Sequence, residues 1–183
     1  MMEELSLHIM DVLQNSLGAG AKRIDLEIEE DPEKDMLVIR VKDDGKGMTQ
    51  EELKRVQDPF YTTKRKIGVG LGIPMFKWVA EHCDGNFRME SQPGKGTLLE
   101  ARMRLSHIDR PPMGNLVDTL LGMVVSCPQV RFVIKYKSRK GEFAFDTQEV
   151  KEILGDVPLS SAEVVGFLKE YLAENLKEVM DAA

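Results

Sequence analysis

Apolar residues recur at helical spacing through residues 3–17 and stop at Gly18 and Gly20, which predicts a helix there. Lys22–Glu29 alternates instead, with Ile24, Leu26 and Ile28 on one face, as a half-buried strand does. The turn Asp31-Pro32-Glu33-Lys34-Asp35 leads to a mostly apolar strand, Met36–Val41, that delivers the chain to Asp43. Thr49 and Glu52 form a capping box that predicts a short helix over Gln50–Gln57. Residues 58–67 hold a proline, paired threonines and adjacent cations without periodicity, and read as a mobile loop. A helix follows at Ile73–Cys83, with Pro74 in the first turn where its missing N–H costs nothing. Strands are predicted at Asn86–Ser91 and Thr97–Leu105, separated by the turn Pro93-Gly94-Lys95-Gly96.

Residues 107–112 read as a linker between a first domain, 1–106, and an extension, 113–183. Its pattern predicts a helix (Asn115–Ser126), a hairpin (Val130–Tyr136 and Glu142–Asp146 about Lys140-Gly141), a short helix and a longer one. Asp146 and Ser160 are the expected N-caps of those last two helices. Val164, Val165, Leu168, Tyr171, Leu172 and Leu176 of the last helix are expected to pack in cis, or else to form a partner surface. The fold class that follows is α+β: a mixed, largely antiparallel sheet with helices on one face, plus a small α+β C-terminal extension.

Composition narrows the class without naming a function. The chain has 183 residues, 42% hydrophobic and 31% charged, as a soluble globular protein does. No apolar run reaches the roughly 20 residues needed to span a bilayer. Met1-Met2-Glu3-Glu4 lacks a signal-peptide layout, and two cysteines give neither metal spacing nor a disulfide framework, so a cytoplasmic protein is expected. A net charge of −6 argues against general nucleic-acid affinity. Lys135, Lys137, Arg139 and Lys140 are expected to be the solvated face of the hairpin.

On the first helix Glu4, His8, Asp11 and Asn15 fall within a stripe of roughly 60°, at about 100° per residue. The rest of the circumference is largely apolar, so the stripe reads as a polar seam facing a ligand or simply water. The amide oxygen of Asn15 is a hard ligand that suits Mg²⁺. Asp11, one turn earlier, could act as general base on a water near a γ-phosphate, or support the metal from behind. His8 could assist Asp11 or be structural. Asp43 opens a glycine turn, Asp43-Asp44-Gly45-Lys46-Gly47-Met48. A carboxylate there can accept a hydrogen bond from the adenine amino group, whereas guanine offers an acceptor and is repelled. Gly68-Val69-Gly70-Leu71-Gly72 opens a helix, where backbone amides and the helix dipole suit phosphates. No Gly-Lys-Ser/Thr follows, so it is not a Walker loop. Lys64, Arg65 and Lys66 could reach the β/γ-phosphates, and Thr97 could reach the base through water.

Taken together these residues resemble the GHKL superfamily of DNA gyrase, Hsp90-type chaperones, histidine kinases and MutL mismatch-repair ATPases. Asn15 in Leu13-Gln14-Asn15-Ser16-Leu17 matches the N box, and Asp43–Gly47 the first glycine box. Asp58-Pro59-Phe60-Tyr61-Thr62-Thr63-Lys64 is similar to the F box of histidine kinases, and Gly68–Gly72 to the second glycine box. The resemblance covers residues ~5–105 and implies a Bergerat-type two-layer α/β sandwich that binds ATP and Mg²⁺, with residues 58–67 as lid. It implies Asn15 as the magnesium ligand and Asp11 as a candidate base. Asp43, Gly45, Gly47, Met48, Phe60, Thr63, Lys64, Gly68, Val69, Gly70, Leu71, Gly72 and Thr97 are the implied nucleotide contacts, with Asn15. The hydrolysing branches carry a glutamate four residues before the asparagine, where this chain has Asp11. None of His8, His82 and His107 has the neighbours of a phosphoacceptor histidine.

Three functions remain open at this point. One is a stand-alone kinase module passing the γ-phosphate to a histidine or serine of a partner protein, in signalling. Another is an ATPase switch. The third is a non-enzymatic ATP sensor that binds a regulated factor. A homodimer is compatible with each.

Overall fold

The computed structural model describes residues 4–61 and 71–181. The first helix, α1, spans Leu5–Gly18 and leads into a β-hairpin, β1 (Arg23–Asp31) and β2 (Met36–Asp43). After α2 (Gln50–Val56) and α3 (Gly72–His82) comes a second hairpin, β3 (Asn86–Gln92) and β4 (Gly96–Arg104). The remainder holds α4 (Leu116–Ser126), β5 (Arg131–Ser138), β6 (Gly141–Asp146), α5 (Thr147–Leu154) and α6 (Ala162–Val179). The strands form one six-stranded sheet in the order β3-β4-β2-β1-β5-β6. All neighbours are antiparallel except β1 and β5, which run parallel with Ile24 beside Phe132. The expected mixed, largely antiparallel sheet with helices on one side is therefore the architecture.

Period-2 patterning decides which face is covered. Ile24, Leu26 and Ile28 of β1 are buried at 2% exposure or less, together with Leu37, Ile39 and Val41 of β2. Leu99, Ala101 and Met103 of β4 and Phe132, Ile134 and Tyr136 of β5 continue the same apolar layer. The helices α1, α3, α4 and α6 pack on it. The other face is charged and solvated, with Arg40 paired to Glu27, Glu29 and Glu100 across the strands. Among the described residues no helix is long and apolar enough to cross a membrane.

The segment 107–112 is tied back to the start of α1, where Leu5 N–H donates to Pro112 O at 2.9 Å and Ser6 N–H to Met113 O at 2.9 Å. Beyond it, α4 packs on α1 and β5 pairs with β1, so sheet and core run on through both parts of the chain. Val164, Leu168, Leu172 and Leu176 of α6 are buried in that core, while Tyr171 stands at its margin, 38% exposed. Two local expectations need correcting. The cap of α6 is Ser161 rather than Ser160, and its side chain makes no capping bond: Ser161 N–H closes a turn on Pro158 O at 3.1 Å, and Ser161 O accepts from Val165 N–H at 2.9 Å to begin the helix. Arg139 and Lys140 are not merely solvated: they pair with Asp181, and Lys140 Nζ donates to Met180 O at 3.0 Å, where cations oppose the negative end of α6. Lys135 and Lys137 do face solvent.

Candidate functional site

Asp43 is the last residue of β2, with Ile24 of β1 on one side and Thr97 of β4 on the other. Strand alternation turns its side chain towards the helices, where it is only 8% exposed. A buried carboxylate needs donors. Ser16 Oγ–H of α1 donates to Oδ2 at 2.6 Å, and the Gly45 N–H donates to Oδ1 at 2.9 Å. Two bonds use part of the roughly four acceptor positions of a carboxylate, so acceptor capacity remains for a further donor.

The turn after Asp43 is wedged between the end of α1 and the β3–β4 turn. Lys46 N–H donates to Ala19 O at 2.9 Å, and Gly94 N–H to Lys46 O at 2.7 Å. Gly47 has φ +69°, and a Cβ there would lie 1.9 Å from Gln92 O, so any side chain is excluded both by backbone conformation and by space. Met48 N–H donates to Ser91 Oγ at 2.8 Å. Ser91 Oγ in turn lies 2.8 Å from Thr97 Oγ1 and donates to Gly96 O at 2.9 Å, which orients Thr97 beside Asp43.

Above this floor lies a cavity of about 230 Å³ bounded by α1, α2, the start of α3 and the sheet. Val12, Val41, Val56, Ile73, Met89 and Leu99 line it with apolar surface, and Asn15, Asp43 and Thr97 add polar groups. A mostly apolar recess with few polar groups suits a flat heteroaromatic ligand held by directed hydrogen bonds. The structure thus brings together Asn15, Asp43, Gly47, Met48 and Thr97 around one cavity, with Gly45 bonded to Asp43 just behind it.

The polar seam of α1 divides by depth. Asn15 is exposed and lines the cavity. Asp11 is half-buried where α1 meets α3: a Cβ on Gly72 would stand 2.8 Å from Asp11 Oδ2. Burial holds the Asp11 carboxyl above its ordinary pKa. His8 is fully buried, stacked on Phe76 with ring centroids 5.2 Å apart, and neither ring nitrogen has a hydrogen-bond partner. Its burial lowers its pKa to about 4, so the ring is neutral. Glu4 belongs to a different contact, accepting from Asn115 N–H at 3.2 Å at the start of α4. The single seam expected from periodicity is therefore one cavity residue, one inter-helix residue and two structural ones.

Phe60 is 95% exposed and Leu71 is 44% exposed at the N-cap of α3, and neither lines the cavity. Thr63, Lys64, Arg65, Lys66, Gly68, Val69 and Gly70 lie outside the described residues. Ser16 and Ser91 escaped the reading of the sequence. The signals were slight: Ser16 is a small hydroxyl next to Asn15, and Ser91 occupies the last inward position of β3 after Phe87 and Met89. The exposed amide oxygen of Asn15 at the cavity wall is one hard donor of the kind a magnesium ion takes, and among the described residues no group of three or more His, Cys, Asp or Glu could hold a metal by itself.

The profile described as histidine kinase-, DNA gyrase B-, and HSP90-like ATPase matches residues 3–107. Sporulation kinase C of Bacillus subtilis is 35% identical over 102 residues, which are 56% of this chain and 24% of that kinase. Sporulation kinase E of the same organism is 44% identical over 66 residues, covering 36% of this chain and 9% of the kinase. The matched part is thus about a quarter or less of each relative's length. Among solved structures, the Aquifex aeolicus MutL ATPase domain complexed with ADP aligns with TM-score 0.51 at 15% identity, over 84% of this chain and 70% of that one. The N-terminal domain of a DNA repair protein aligns with TM-score 0.56 at 11% identity, over 78% of this chain and 52% of that one. At these identities the likeness is one of fold, and its coverage carries it past residue 112 into the extension.

Proposed function

Because the chain belongs to the family of histidine kinase-, DNA gyrase B- and HSP90-like ATPases, we propose that its cavity binds Mg²⁺-ATP and that the γ-phosphate passes to a partner protein. The observation that carries the nucleotide is Asp43: a buried carboxylate, two of whose acceptor positions are filled by Ser16 and Gly45, at the floor of an apolar recess. An adenine amino group fills a remaining position, and the carbonyl oxygen of guanine meets repulsion there. Thr97, held by Ser91, presents a hydroxyl to the same edge of the base. Asn15 at the cavity wall holds the metal, which neutralises charge on the phosphates when bound.

Transfer to a partner is supported by the likeness to the two sporulation kinases and by where the histidines lie. His8 is fully buried and cannot take a phosphate without unfolding. His82 ends α3, ten residues after Gly72, and thus about 15 Å along the helix from the Asp11 contact. His107 lies near His82, with ring centroids 6.1 Å apart. These placements count against the three histidines of this chain as acceptors and so support transfer to a separate acceptor.

A second reading, hydrolysis, is favoured by Asp11 alone. Its half-buried carboxyl, raised towards the operating pH, is a better proton acceptor than an ordinary surface aspartate. Incubation with Mg²⁺ and γ-labelled ATP, alone and with a soluble extract of the source organism, separates the two. Transfer predicts label on a protein of the extract and little free phosphate. Free phosphate that disappears in Asp11→Asn would replace transfer with hydrolysis. The nucleotide reading has its own test: Asp43→Asn should weaken ATP binding about 10- to 150-fold by calorimetry, the equivalent of about 1.5–3 kcal/mol for a hydrogen bond to a charged group. Unchanged affinity would place the base elsewhere.

A further inference from the structure

The far end of the sheet carries a second apolar recess, independent of the nucleotide reading. It is a groove of about 250 Å³ where α5 and α6 meet the edge strand β6, and Phe145, Val150, Ile153, Leu154, Phe167 and Tyr171 supply its apolar lining. Ile153 is 85% exposed and Phe167 64%. Phe167 stacks on Tyr171 with ring centroids 6.0 Å apart, and Tyr171 contacts Phe143 at 5.9 Å and Phe145 at 6.3 Å. Large side chains grouped in this way, rather than scattered singly, mark an interaction surface.

Charge identifies the occupant. Residues 147–183 contain eight carboxylates and three lysines, a net −5 out of −6 for the whole chain. Glu149 lines the groove itself. Glu163, Glu170 and Glu174 are exposed and share the helix face of Phe167, at spacings of three and four residues. Among the described residues none of these four has a cation within ion-pairing distance. Two of the three lysines in this segment are engaged elsewhere, Lys151 donating to Pro128 O and Lys169 pairing with Asp118 at 3.4 Å, while Lys177 sits in the last turn of α6, beyond the groove. An apolar groove between two helices with an uncompensated acidic rim has a defined complement. We propose that it receives a basic amphipathic helix of a partner protein, with apolar side chains in the groove and lysine or arginine against Glu149, Glu163, Glu170 and Glu174. Anionic membranes and nucleic acids are repelled by the same rim.

The test uses the full chain and a fluorescent synthetic peptide of about 18 residues, with leucine at helical i, i+3, i+4, i+7 spacing and lysine elsewhere. Controls are a scrambled peptide of equal composition and one with glutamate for lysine. Anisotropy should show saturable binding of the patterned peptide, at least about tenfold tighter than the scrambled one, and none of the acidic one. Phe167→Ser and Ile153→Ser, both at exposed positions, should each weaken binding about tenfold or more with the circular dichroism spectrum unchanged. Raising salt from about 50 to about 300 mM should weaken it severalfold, and less so in Glu163→Gln/Glu170→Gln. Equal binding of patterned and scrambled peptides, or indifference to both serine substitutions, would overturn the proposal. So would sedimentation showing a dimer that Phe167→Ser dissolves, since a second copy would then be the occupant.

Discussion

His8 sits at 0% exposure against Phe76 with both ring nitrogens unbonded, and its pKa is lowered to about 4 from 6.5. Between those two values the unfolded chain binds a proton that the folded chain does not, so stability rises with pH across that window and is lost on acidification. The effect is on the order of 2–3 kcal/mol between pH 7 and pH 4, at 1.36 kcal/mol per unit. Asp11 runs the other way, because a carboxyl held high stabilises the fold at low pH and loses that contribution as pH rises through its folded value. Comparing His8→Leu with the wild type cancels Asp11. Urea titrations at pH 7 and pH 4.5 should show a smaller acid loss in His8→Leu, with stability at pH 7 equal or higher because two orphan polar atoms are gone. An identical acid loss in both would mean that His8 is not the titrating group. The positions of Asp43 and Asn15 could be anticipated, because short motifs carry them. For His8 the sequence left a structural place and a role beside Asp11 both open, and the packing of α3 over it decides for the structural one.

Among elements, the contact between the 43–48 turn and the β3–β4 turn holds the cavity floor in place. It joins Gly94 N–H to Lys46 O and Met48 N–H to Ser91 Oγ. Gly47 and Gly94 both have φ near +70°, at +69° and +76°, yet only Gly47 faces backbone within 4 Å. Gly94→Ala should therefore cost about 1 kcal/mol for its conformation alone, whereas Gly47→Ala should cost more, about 2–4 kcal/mol, and weaken nucleotide binding as well. Thermal unfolding of the two variants side by side tests this, and equal losses would mean that the turns separate easily. At this scale the chain was readable where local chemistry decides. The box of Thr49 and Glu52 forms both of its bonds, and Asp146 caps α5 through Gln148 N–H at 2.9 Å. It misled at Ser160, because a turn closed by Ser161 N–H on Pro158 O at 3.1 Å carries the chain one residue further before the helix begins.

For the whole molecule, the parallel pairing of β5 with β1 matters most. Without it β1 would present an open edge beside the cavity sheet, and α1 would lose the cover of α4. Phe132, in register with Ile24 and 2% exposed, stands at that junction. Phe132→Ala should cost about 3–5 kcal/mol. Trp78 on α3 reports the loss if the molecule unfolds as one unit, so its fluorescence and the far-ultraviolet circular dichroism should shift to the same lower midpoint. A Trp78 transition left at the wild-type midpoint would show that residues 113–183 unfold separately.

Helices, strands, turns and the α+β class were determined by the sequence itself, because periodicity, caps and turn residues act over a few positions. The same is true of which residue ends β2 and which glycines follow it. Tertiary structure alone decided the order of the strands and the joining of residues 113–183 to the first hairpin. It also assigned Ser16 and Ser91 to Asp43 and Thr97, and separated His8 from Asn15. Apart from the Ser91–Thr97 pair, which lies across one hairpin, those outcomes rest on contacts between residues tens of positions apart, whose energies come from burial and shape and leave no local period to read.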